Sequence, residues 1–405
     1  MKPVYLDHNA TTPVRPEVAE AMRPFLGAAF GNPNSIHRFG REARAAVEEA
    51  RARAAALIGA AEPEEILFTS GGTESDNWAL RGTIAAAGGG GHIVTTAVEH
   101  HAVLDTCKAL EEAGVEVTYV PPDGRGRVAA EAVAGAIRPG TCLVSVMWGN
   151  NEVGTLQPIA EIARACRERG VPFHTDAVQA VGKAPIEADA LGIDFLSASG
   201  HKINGPKGVG FLYARKGARL LPLITGGPQE RDLRSGTENV PGIVGLGEAC
   251  RLAREEGAAS ARGLAALRDR LESEVLERIP DAVVNGDPAH RLPGTSNLSF
   301  PGTEGETLLI RLDLEGIAVS TGAACSSGST EPSHVLLAMG LPKDVVRGSL
   351  RFSLGWGNTG ADVDRLLEVL PEAVRRVRAM APRARAAEGR GRGKPRRVSD
   401  SRRAR

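Results

Sequence analysis

Lys202 and Asp176 have the side chains whose chemistry is easiest to interpret. Lys202 lies in the sequence SGHKINGPKG, directly after an apolar run that predicts a strand. Desolvation there lowers the pKa of an ammonium group and prepares its amine to form a Schiff base with an aldehyde. Asp176 follows another apolar run, where a buried carboxylate needs a cation such as a protonated pyridine nitrogen. Each residue also fits an ordinary turn, and His174 with Asp176 could chelate a metal, although no third ligand suggests itself.

A glycine-rich turn between a predicted strand and a predicted helix offers an anion site. It has the sequence Ser70-Gly71-Gly72-Thr73-Glu74. Two glycines let the backbone approach an oxyanion closely, and the free N–H groups at a helix start favour negative charge. Thr73 could bind a phosphate, and a plain capping box on Thr73 or Ser75 is the competing interpretation. No lysine follows the glycines, so the turn is not a Walker-type phosphate loop.

Polar residues also follow two further apolar runs. His100 and His101 come after one of them, and a flat imidazole there could lie over an aromatic ring and transfer protons. Two histidines facing water at a helix start are the alternative. Asn150-Asn151-Glu152 follows the other run. Four predicted strands thus place polar groups at their carboxyl ends, which indicates one shared site at that edge of a sheet.

Cys325 and Arg351 are the remaining candidates. Cys325 lies among small residues at 320–329, which predicts an exposed, mobile loop and a reactive thiol. The other cysteines fall in apolar patterns and are expected to fill buried space: Cys107, Cys142, Cys166 and Cys250. Arg351 lies inside an apolar strand, so its guanidinium requires an anion. That anion is either a substrate carboxylate, which a bidentate fork fits well, or the partner in a structural salt bridge.

The pattern of apolar runs predicts the elements that position these residues. Strands are expected at Ile66–Phe68, His92–Thr95, Val115–Val120, Cys142–Met147, Val171–His174, Phe195–Ser197 and Val209–Tyr213. Helices are expected at Arg38–Ile58 (begun by Asn34 or Ser35), Glu74–Ala87, Ala102–Ala113, Ala129–Ile137 and Ile159–Arg169. Such alternation predicts an α/β domain with a mostly parallel seven-stranded sheet flanked by helices.

The last third of the chain predicts a second domain. A long helical connection from Pro241 to about Arg278 is followed by strands at Ser296–Phe300 and Ser349–Ser353 and helices at Glu304–Glu315 and Asp362–Arg378. We therefore expect a large cofactor-binding domain at 15–255 and a small α+β domain formed by 1–14 and 256–380. Residues 381–405 are rich in Arg, Gly, Ala and Pro, which predicts a disordered tail.

Composition limits the classes of protein that fit. The chain has 405 residues, is 42% hydrophobic and carries 49 basic and 49 acidic residues, which disfavours a dedicated nucleic-acid binder. The tail has ten Lys or Arg against two acids, hence a charge of +8, and we expect it to be a solubilising segment rather than a contact to RNA or an acidic partner. No apolar run reaches the ~20 residues of a membrane span. The N-terminus lacks the apolar core of a signal peptide, so we expect a cytoplasmic protein.

Together these segments resemble the cysteine desulfurases, pyridoxal-phosphate enzymes of the class V aminotransferase group with the fold-type I architecture. The resemblance extends from Tyr5 to about Arg378 and rests on motifs in the same order. They are LDHNATTP, GNPNSIHRFG, TSGGTESDN, EHHAV, NNEVG, TDAVQA, SGHKINGPKGVG, RSGTENV and the Cys325 loop. That loop resembles the longer, mobile loop of the type that serves iron–sulfur assembly and nitrogenase maturation.

The resemblance implies a role for each matched residue. Lys202 would bind the cofactor aldehyde, Asp176 would pair with the ring nitrogen, and His100 would stack on the ring. The phosphate would be held by Gly72, Thr73, Ser199 and His201, with Thr237 reaching it from a neighbouring subunit of a homodimer. Asn151 and Gln179 would contact ring substituents, and Arg351 with Asn151 would bind the substrate.

The implied reaction removes sulfur from L-cysteine and releases L-alanine. Lys202 would take the α-proton, the Cys325 thiolate would attack the substrate sulfur and become a persulfide, and His100 would shuttle a proton. An iron–sulfur scaffold or another acceptor protein would then receive the sulfur. No resident metal is expected, although Cys325 could transiently bind an iron–sulfur cluster.

Other functions fit parts of the pattern. A selenocysteine lyase, or another enzyme of the class V aminotransferase group without a sulfur relay, would use most of the same residues. A non-catalytic sulfur-delivery scaffold would not need Lys202, Asp176 and Arg351, so their presence argues against it.

Overall fold

The computed structural model describes residues 3–321 and 332–380. Cys325 and the basic tail therefore lie outside the described residues.

Twelve strands form three sheets in the described part of the chain. They are β1 (Val4–Tyr5), β2 (Ile66–Thr69), β3 (His92–Thr96), β4 (Glu116–Val120), β5 (Thr141–Ser145), β6 (Phe173–Asp176), β7 (Phe195–Ser199), β8 (Gly210–Ala214), β9 (Val283–Asn285), β10 (Thr295–Ser299), β11 (Ile317–Ala318) and β12 (Ser349–Ser353).

Helices connect and cover these strands. They are α1 (Pro16–Met22), α2 (Arg38–Ile58), α3 (Gly72–Ala86), α4 (His101–Glu112), α5 (Ala130–Ala136), α6 (Ile159–Glu168), α7 (Ala188–Leu191), α8 (Val240–Arg278), α9 (Gly305–Leu314), α10 (His334–Ala338), α11 (Lys343–Arg347) and α12 (Gly360–Met380). Short 3₁₀ turns lie at Arg23–Leu26, Pro63–Glu65, Gly200–Lys202 and Gln229–Asp232.

The main sheet has seven strands in the order β2-β8-β7-β6-β5-β3-β4. Strand β8 runs antiparallel to β2 and β7, and the other neighbours are parallel. This confirms the predicted mostly parallel seven-stranded sheet. Because β3, β5, β6 and β7 share one direction, their carboxyl ends meet at one edge, where α/β proteins bind ligands.

Two smaller sheets lie towards the ends of the chain. Strands β12, β10 and β9 form an antiparallel sheet, and β1 pairs in parallel with β11. Asp7 continues from β1 to a bridge with Ser353 of β12. The chain's first residues are therefore held by its last third.

Apolar side chains collect in separate clusters. Two of them lie between Val18 and Leu252, on the faces of the seven-stranded sheet. Another joins Val4 and Leu6 to residues between Leu271 and Val377. Helix α8 is continuous through both regions, and the domain limits at 255 and 256 stay a prediction.

Helix α2 shows why one element forms and how closely it packs. Its buried residues, which include Ala43, Val47, Ala50, Ala54 and Ile58, recur at helical spacing. Helix α8 packs against them, and a Cβ at Gly247 would come within 2.6 Å of Ala50 Cα. The glycine therefore permits this close approach.

The predicted bounds of α2, Arg38–Ile58, are confirmed, but its predicted capping residue is wrong. We expected Asn34 or Ser35 to cap it, but His37 is the capping residue and its Nδ1 accepts a hydrogen bond from Gly40 N at 3.3 Å. Asn34 instead accepts a hydrogen bond from Arg44 Nη2 at 2.6 Å. Sequence-based capping rules favour Asn and Ser over His, which explains the error. Cys142 differs as well, because it is half-buried whereas Cys107, Cys166 and Cys250 are buried.

A buried ion pair fastens the strand that leads to the glycine-rich turn. Arg51 of α2 is 1% exposed, and its two terminal nitrogens each donate to a Glu230 carboxylate oxygen at 2.8 Å. Glu230 also accepts from Phe68 N of β2 at 3.0 Å. Arg51 donates to Ile66 O at 2.7 Å as well. The pair thus joins α2 and β2 through charge-assisted hydrogen bonds that are buried away from water.

Replacing Glu230 by Ala is expected to lower the free energy of unfolding by about 3–5 kcal/mol, because the Arg51 guanidinium would be left buried without its carboxylate. Urea denaturation measures the change. Arg38→Ala is the control, since Arg38 pairs with Glu42 at the surface and such pairs contribute about 0–1 kcal/mol. A Glu230→Ala protein as stable as the control would contradict the prediction.

Within residues 3–321 and 332–380, no helix is both long enough and apolar enough to cross a membrane.

Candidate active site

A cavity of about 370 Å³ opens at the carboxyl edge of the seven-stranded sheet. It is lined by Asn9, Ala10, Gly72, Thr73, Asp76, His100, Met147, Asn151, Asp176, Val178, Gln179, Ser199, His201, Lys202 and Arg351. Nearly all the described residues predicted from the sequence to form the site therefore meet in one place.

Asp176 ends strand β6 at this edge and is 6% exposed. Its Oδ1 accepts a hydrogen bond from Val178 N at 2.9 Å. Burial raises the pKa of Asp176 to about 6, and the Val178 N–H and the nearby Lys202 charge oppose that rise. A carboxylate in such a place gains strongly from a cationic partner.

Lys202 lies in the 3₁₀ turn that follows β7 and lines the cavity. Its amine donates hydrogen bonds to the carbonyl oxygens of Asn9 and Ala10, the second at 2.9 Å. These carbonyls belong to the N-terminal segment 7–12, so the lysine is held by backbone that comes from outside the main sheet.

The glycine-rich turn presents an open helix start to the cavity. Helix α3 begins after Gly71, and no described side chain caps it. Thr73 lines the cavity, and Ser75 instead bonds to Thr69 Oγ1 and Gly71 O, so the capping-box alternative for these residues does not hold. A Cβ at Gly72 would lie 2.6 Å from Val178 Cγ2. Gly72 therefore packs closely against Val178, the residue whose N–H donates to Asp176. The free N–H groups of the first turn suit a phosphate.

His100 is the residue that precedes α4, and its Nδ1 accepts a hydrogen bond from Ala102 N at 3.1 Å. Burial and the charge of Lys202 lower the pKa of His100 to about 4, so the imidazole is neutral near pH 7. Because Nδ1 accepts, the remaining proton of the neutral ring is on Nε2. His101 does not line the cavity and contacts Asp105 and the ring of His334.

His201 and Ser199 line the cavity on either side of Gly200. His201 Nδ1 lies 3.1 Å from Thr11 Oγ1. Burial and the charges of Lys202, Lys207 and Lys183 lower the pKa of His201 to about 4. Both residues can therefore offer neutral hydrogen-bonding groups to an anion.

Gln179 and Asn151 are held by residues that the sequence did not single out. Gln179 Nε2 donates to Asn9 O at 2.9 Å, and its Oε1 accepts from Lys183 Nζ at 3.0 Å. Asn9 Nδ2 in turn donates to Asn151 O at 3.1 Å. Burial lowers the pKa of Lys183 to about 7, and the charges of Lys202 and Arg351 lower it further.

Arg351 takes part in an ion pair and also faces the cavity. It is 2% exposed, its Nη2 lies 2.8 Å from Asp7 Oδ1, and its Nη1 donates to Asn151 O at 3.0 Å. The Nε atom is buried and has no hydrogen-bond partner among the described residues. The structural salt bridge considered from the sequence is thus present, and it leaves the guanidinium at the cavity wall.

The metal alternative for His174 and Asp176 finds no support. His174 Nδ1 lies 2.8 Å from Ser145 Oγ, and its Nε2 lies 3.0 Å from Ser197 Oγ. No group of three or more metal-binding side chains occurs in residues 3–321 and 332–380. Both ring nitrogens of His174 therefore contact serine hydroxyl groups rather than a metal ion.

One predicted site residue among those described does not line the cavity. Thr237 is exposed and absent from the lining, and Cys325 lies outside the described residues. The sequence did not single out Asn9 and Asp76, which line the cavity, or Lys183, which donates a hydrogen bond to Gln179. Each lies in a quoted motif or next to one, but only tertiary contacts reveal what it does.

The cavity fits pyridoxal phosphate. A buried carboxylate suits its ring nitrogen, the uncapped start of α3 suits its phosphate, and Lys202 supplies an amine for its aldehyde. His100, Asn151, Gln179, Ser199 and His201 are the polar groups that surround the remaining space.

Comparisons with known proteins identify similar chains. A model of the aminotransferase class-V family matches residues 4–366. Over 382 residues the chain is 54% identical to cysteine desulfurase IscS of Methanosarcina thermophila, with 94% of each chain covered. Over 380 residues it is 51% identical to cysteine desulfurase IscS of Dictyoglomus turgidum, with 94% of this chain and 96% of that one covered.

Solved structures give a consistent result. A NifS-like protein superposes with a TM-score of 0.87 at 42% identity, covering 92% of this chain and 99% of the other. A structure described as SspA in complex with cysteine gives a TM-score of 0.76 at 38% identity, covering 87% and 98%. These neighbours confirm the predicted fold class.

Replacing Asn9 by Leu is expected to lower the free energy of unfolding by about 1–3 kcal/mol, because buried groups of Asn151 and Thr295 lose their hydrogen-bond partner. Thermal or urea denaturation measures the loss. Asn34→Leu serves as control, since Asn34 is exposed. Equal stability of the two variants would show that the Asn9 amide does not hold the site together.

Proposed function

The chain belongs to the aminotransferase class-V family, as one of its pyridoxal-phosphate-dependent cysteine desulfurases, and we propose how its residues divide the reaction. Lys202, Asp176, the open start of α3 and Arg351 all line one cavity, and this convergence is the observation that carries the proposal. The substrate is L-cysteine, and the products are L-alanine and a persulfide on Cys325.

Pyridoxal phosphate, when bound, supplies an aldehyde and an electron-withdrawing ring that accepts the electrons released at the substrate's α-carbon. Lys202 would hold the aldehyde, and Asp176 would keep the ring nitrogen protonated. Gly72, Thr73, Ser199 and His201 would bind the phosphate. His100 would contact the ring, and Asn151 and Gln179 would bind its substituents, with the Gln179 amide oriented by Lys183 and Asn9.

Arg351 binds the carboxylate of L-cysteine, together with Asn151. Its pair with Asp7 and its bond to Asn151 O fix the plane of the guanidinium before substrate arrives. The orphaned Nε is one donor that a carboxylate could satisfy. The charge and the orientation of the Arg351 guanidinium are thus fixed before the substrate carboxylate binds, which limits the entropy lost on binding.

Proton transfer involves Lys202 and His100. The Lys202 amine would take the α-proton of the substrate. His100 is neutral with its proton on Nε2, so it can give that proton to, or take one from, the substrate sulfur. A low pKa returns the ring to its neutral form after each transfer.

Cys325 is the nucleophile of the proposal. Its thiolate attacks the substrate sulfur, an S–S bond forms as the C–S bond breaks, and the three-carbon remainder leaves as alanine after protonation. Among the other cysteines, burial raises the pKa of Cys107, Cys166 and Cys250 to about 12, which makes these thiols poor nucleophiles.

A homodimer completes the site in this proposal. Thr237 is exposed and does not line the cavity of its own chain, as expected of a residue that reaches a neighbouring subunit's phosphate. Three apolar side chains are exposed in the segment that precedes α2. Leu26 is 71% exposed, Phe30 is 73% exposed and Ile36 is 91% exposed. Exposed apolar side chains of this kind support a protein interface in this region.

The sulfur leaves on an acceptor protein. An iron–sulfur scaffold is the proposed class of acceptor, and a thiolation partner is the alternative. We place the reaction in the cytoplasm, and the basic tail is proposed as a solubilising segment with at most weak nucleic-acid contact.

Incubating the purified protein with L-cysteine is expected to give one alanine and one persulfide per active site first, and turnover only when an acceptor or reductant is added. Mass spectrometry locates the persulfide on Cys325, and amino-acid analysis measures alanine. Lys202→Ala is expected to lower alanine formation by at least about 10²-fold, since it removes the general base.

Cys325→Ser should abolish the persulfide, whereas the matched variant Cys142→Ser should retain it. Cys142 is half-buried and absent from the cavity lining. Steady sulfide release by Cys325→Ser without an added thiol would contradict the relay.

Mixed dimers test Thr237. In a dimer of one Lys202→Ala and one Thr237→Ala subunit, the site with an intact lysine receives an intact Thr237 from its partner if the residue acts across the interface. We expect that site, half of the total, to regain wild-type cofactor affinity by absorbance titration. Affinity that stays at the Thr237→Ala level would place the threonine in its own subunit's site.

A further inference from the structure

Asp76 is a second carboxyl group at the floor of the cavity. It lies on α3, one turn after Gly72, is 1% exposed and lines the cavity together with Asp176. Its Oδ1 is buried without a hydrogen-bond partner among the described residues. The reaction described above makes no use of it.

The geometry of β6 brings Asp76 close to Asp176. Asp76 Oδ1 lies 3.6 Å from His174 Nε2. His174 and Asp176 are two apart on one strand, so their side chains point to the same face of the sheet. Helix α3 packs on that face, and its residue Asp76 therefore lies close to His174 and Asp176.

No positive charge on His174 is available to balance two carboxylates. Its ring nitrogens lie against Ser145 Oγ and Ser197 Oγ, and burial lowers its pKa to about 3. Glu99 adds a further buried acid, whose Oε1 accepts from Thr96 Oγ1 and Met147 N. Lys202 is the nearby cation, and His100 in the same cavity is neutral.

We propose that Asp76 is protonated in the folded enzyme and acts as a positioning residue, so that Asp176 alone carries the negative charge that faces the cofactor ring nitrogen. This inference rests on the proposed role of Asp176. A neutral acid beside Asp176 removes like-charge repulsion and supplies a proton for a hydrogen bond, whereas two adjacent carboxylates could not both ionise cheaply. Burial, followed by the like charges of Asp176 and Glu99, raises the pKa of Asp76, and a hydrogen bond with Ser197 opposes the rise.

Infrared spectroscopy of the full-length holoenzyme, carrying ¹³C-labelled aspartate carboxyl groups, tests the proposal directly. The isotope shift separates protonated aspartate from protonated glutamate. At about pH 8, where Asp176 is ionised, we expect one protonated-aspartate carbonyl band that is lost in Asp76→Asn and kept in the matched variant Glu99→Gln. Absence of the band from the wild-type enzyme would overturn the proposal, even if no variant folds.

The pH dependence of stability supplies a second readout. An acid whose pKa is raised by folding binds more protons in the folded state, so its contribution to stability falls as pH rises above its ordinary value. We expect the melting temperature of Asp76→Asn, relative to wild type, to increase from about pH 5 to about pH 8. A constant difference would show that Asp76 does not titrate abnormally and would overturn the proposal.

Cofactor affinity distinguishes a neutral partner from a second anion. Asp76→Asn keeps a neutral hydrogen-bond donor, so its dissociation constant for pyridoxal phosphate should stay within about threefold of wild type. Asp76→Leu lacks the donor and should weaken binding about tenfold. Equal loss in both variants would indicate that a charged Asp76 binds the cofactor. None of these measurements requires L-cysteine turnover, so a failed desulfurase assay and a failed role for Asp76 can be told apart.

Discussion

The hydrogen bonds made by Asn9 hold the active site together. Its backbone oxygen accepts from Lys202 and Gln179, its side-chain amide donates to Asn151 O and Thr295 Oγ1, and its backbone N–H donates to Ser353 Oγ. Lys202, Gln179 and Asn151 lie in turns that follow strands of the seven-stranded sheet, whereas Thr295 and Ser353 belong to the sheet of β12, β10 and β9. A segment near the chain's start thus fixes how two separately packed regions face each other across the cavity. Arg351 depends on the same arrangement, since Asp7 and Asn151 O orient its guanidinium.

Burial decides which groups in and around the cavity carry charge. It raises the pKa of Asp176 to about 6 and of Glu99 to about 8, and lowers the pKa of His100 to about 4 and of Lys183 to about 7. In each case the charged form is disfavoured because water is excluded. The cofactor carries a phosphate, a ring nitrogen and an aldehyde. The charged forms of the protein groups become favourable only when these cofactor groups pair with them. This is how a preorganised polar site gains selectivity for its ligand.

Ionic contacts connect the cavity-lining start of α3 to other parts of the chain. The Arg51–Glu230 pair joins α2 to β2, whose end leads into the Gly71–Gly72 turn. Glu74, in the first turn of α3, pairs with Arg234 at 2.9 Å, and Arg234 lies in the segment that carries Thr237. The start of α3 is therefore connected both to the core of its own chain and to the surface proposed to meet a second subunit.

The strands, most helices and the residues at the carboxyl edge could be predicted from the sequence because they follow from local patterns. Apolar runs alternate with amphipathic segments, and Lys202, Asp176 and His100 each come within a few residues after the end of such a run. The cap of α2 was mispredicted because His37 follows two residues that are intrinsically better caps, and only the path of the chain selects among them. Asn9 and Asp76 could not be assigned, since they contact Asn151 and His174, which are far away in sequence. Lys183 could not be assigned either, because its burial and the charges of Lys202 and Arg351 lower its pKa. The sequence by itself determined the class of fold and the chemistry available to it. The tertiary structure decided which of these groups are buried together, and hence which are neutral, because burial and proximity depend on how distant segments pack.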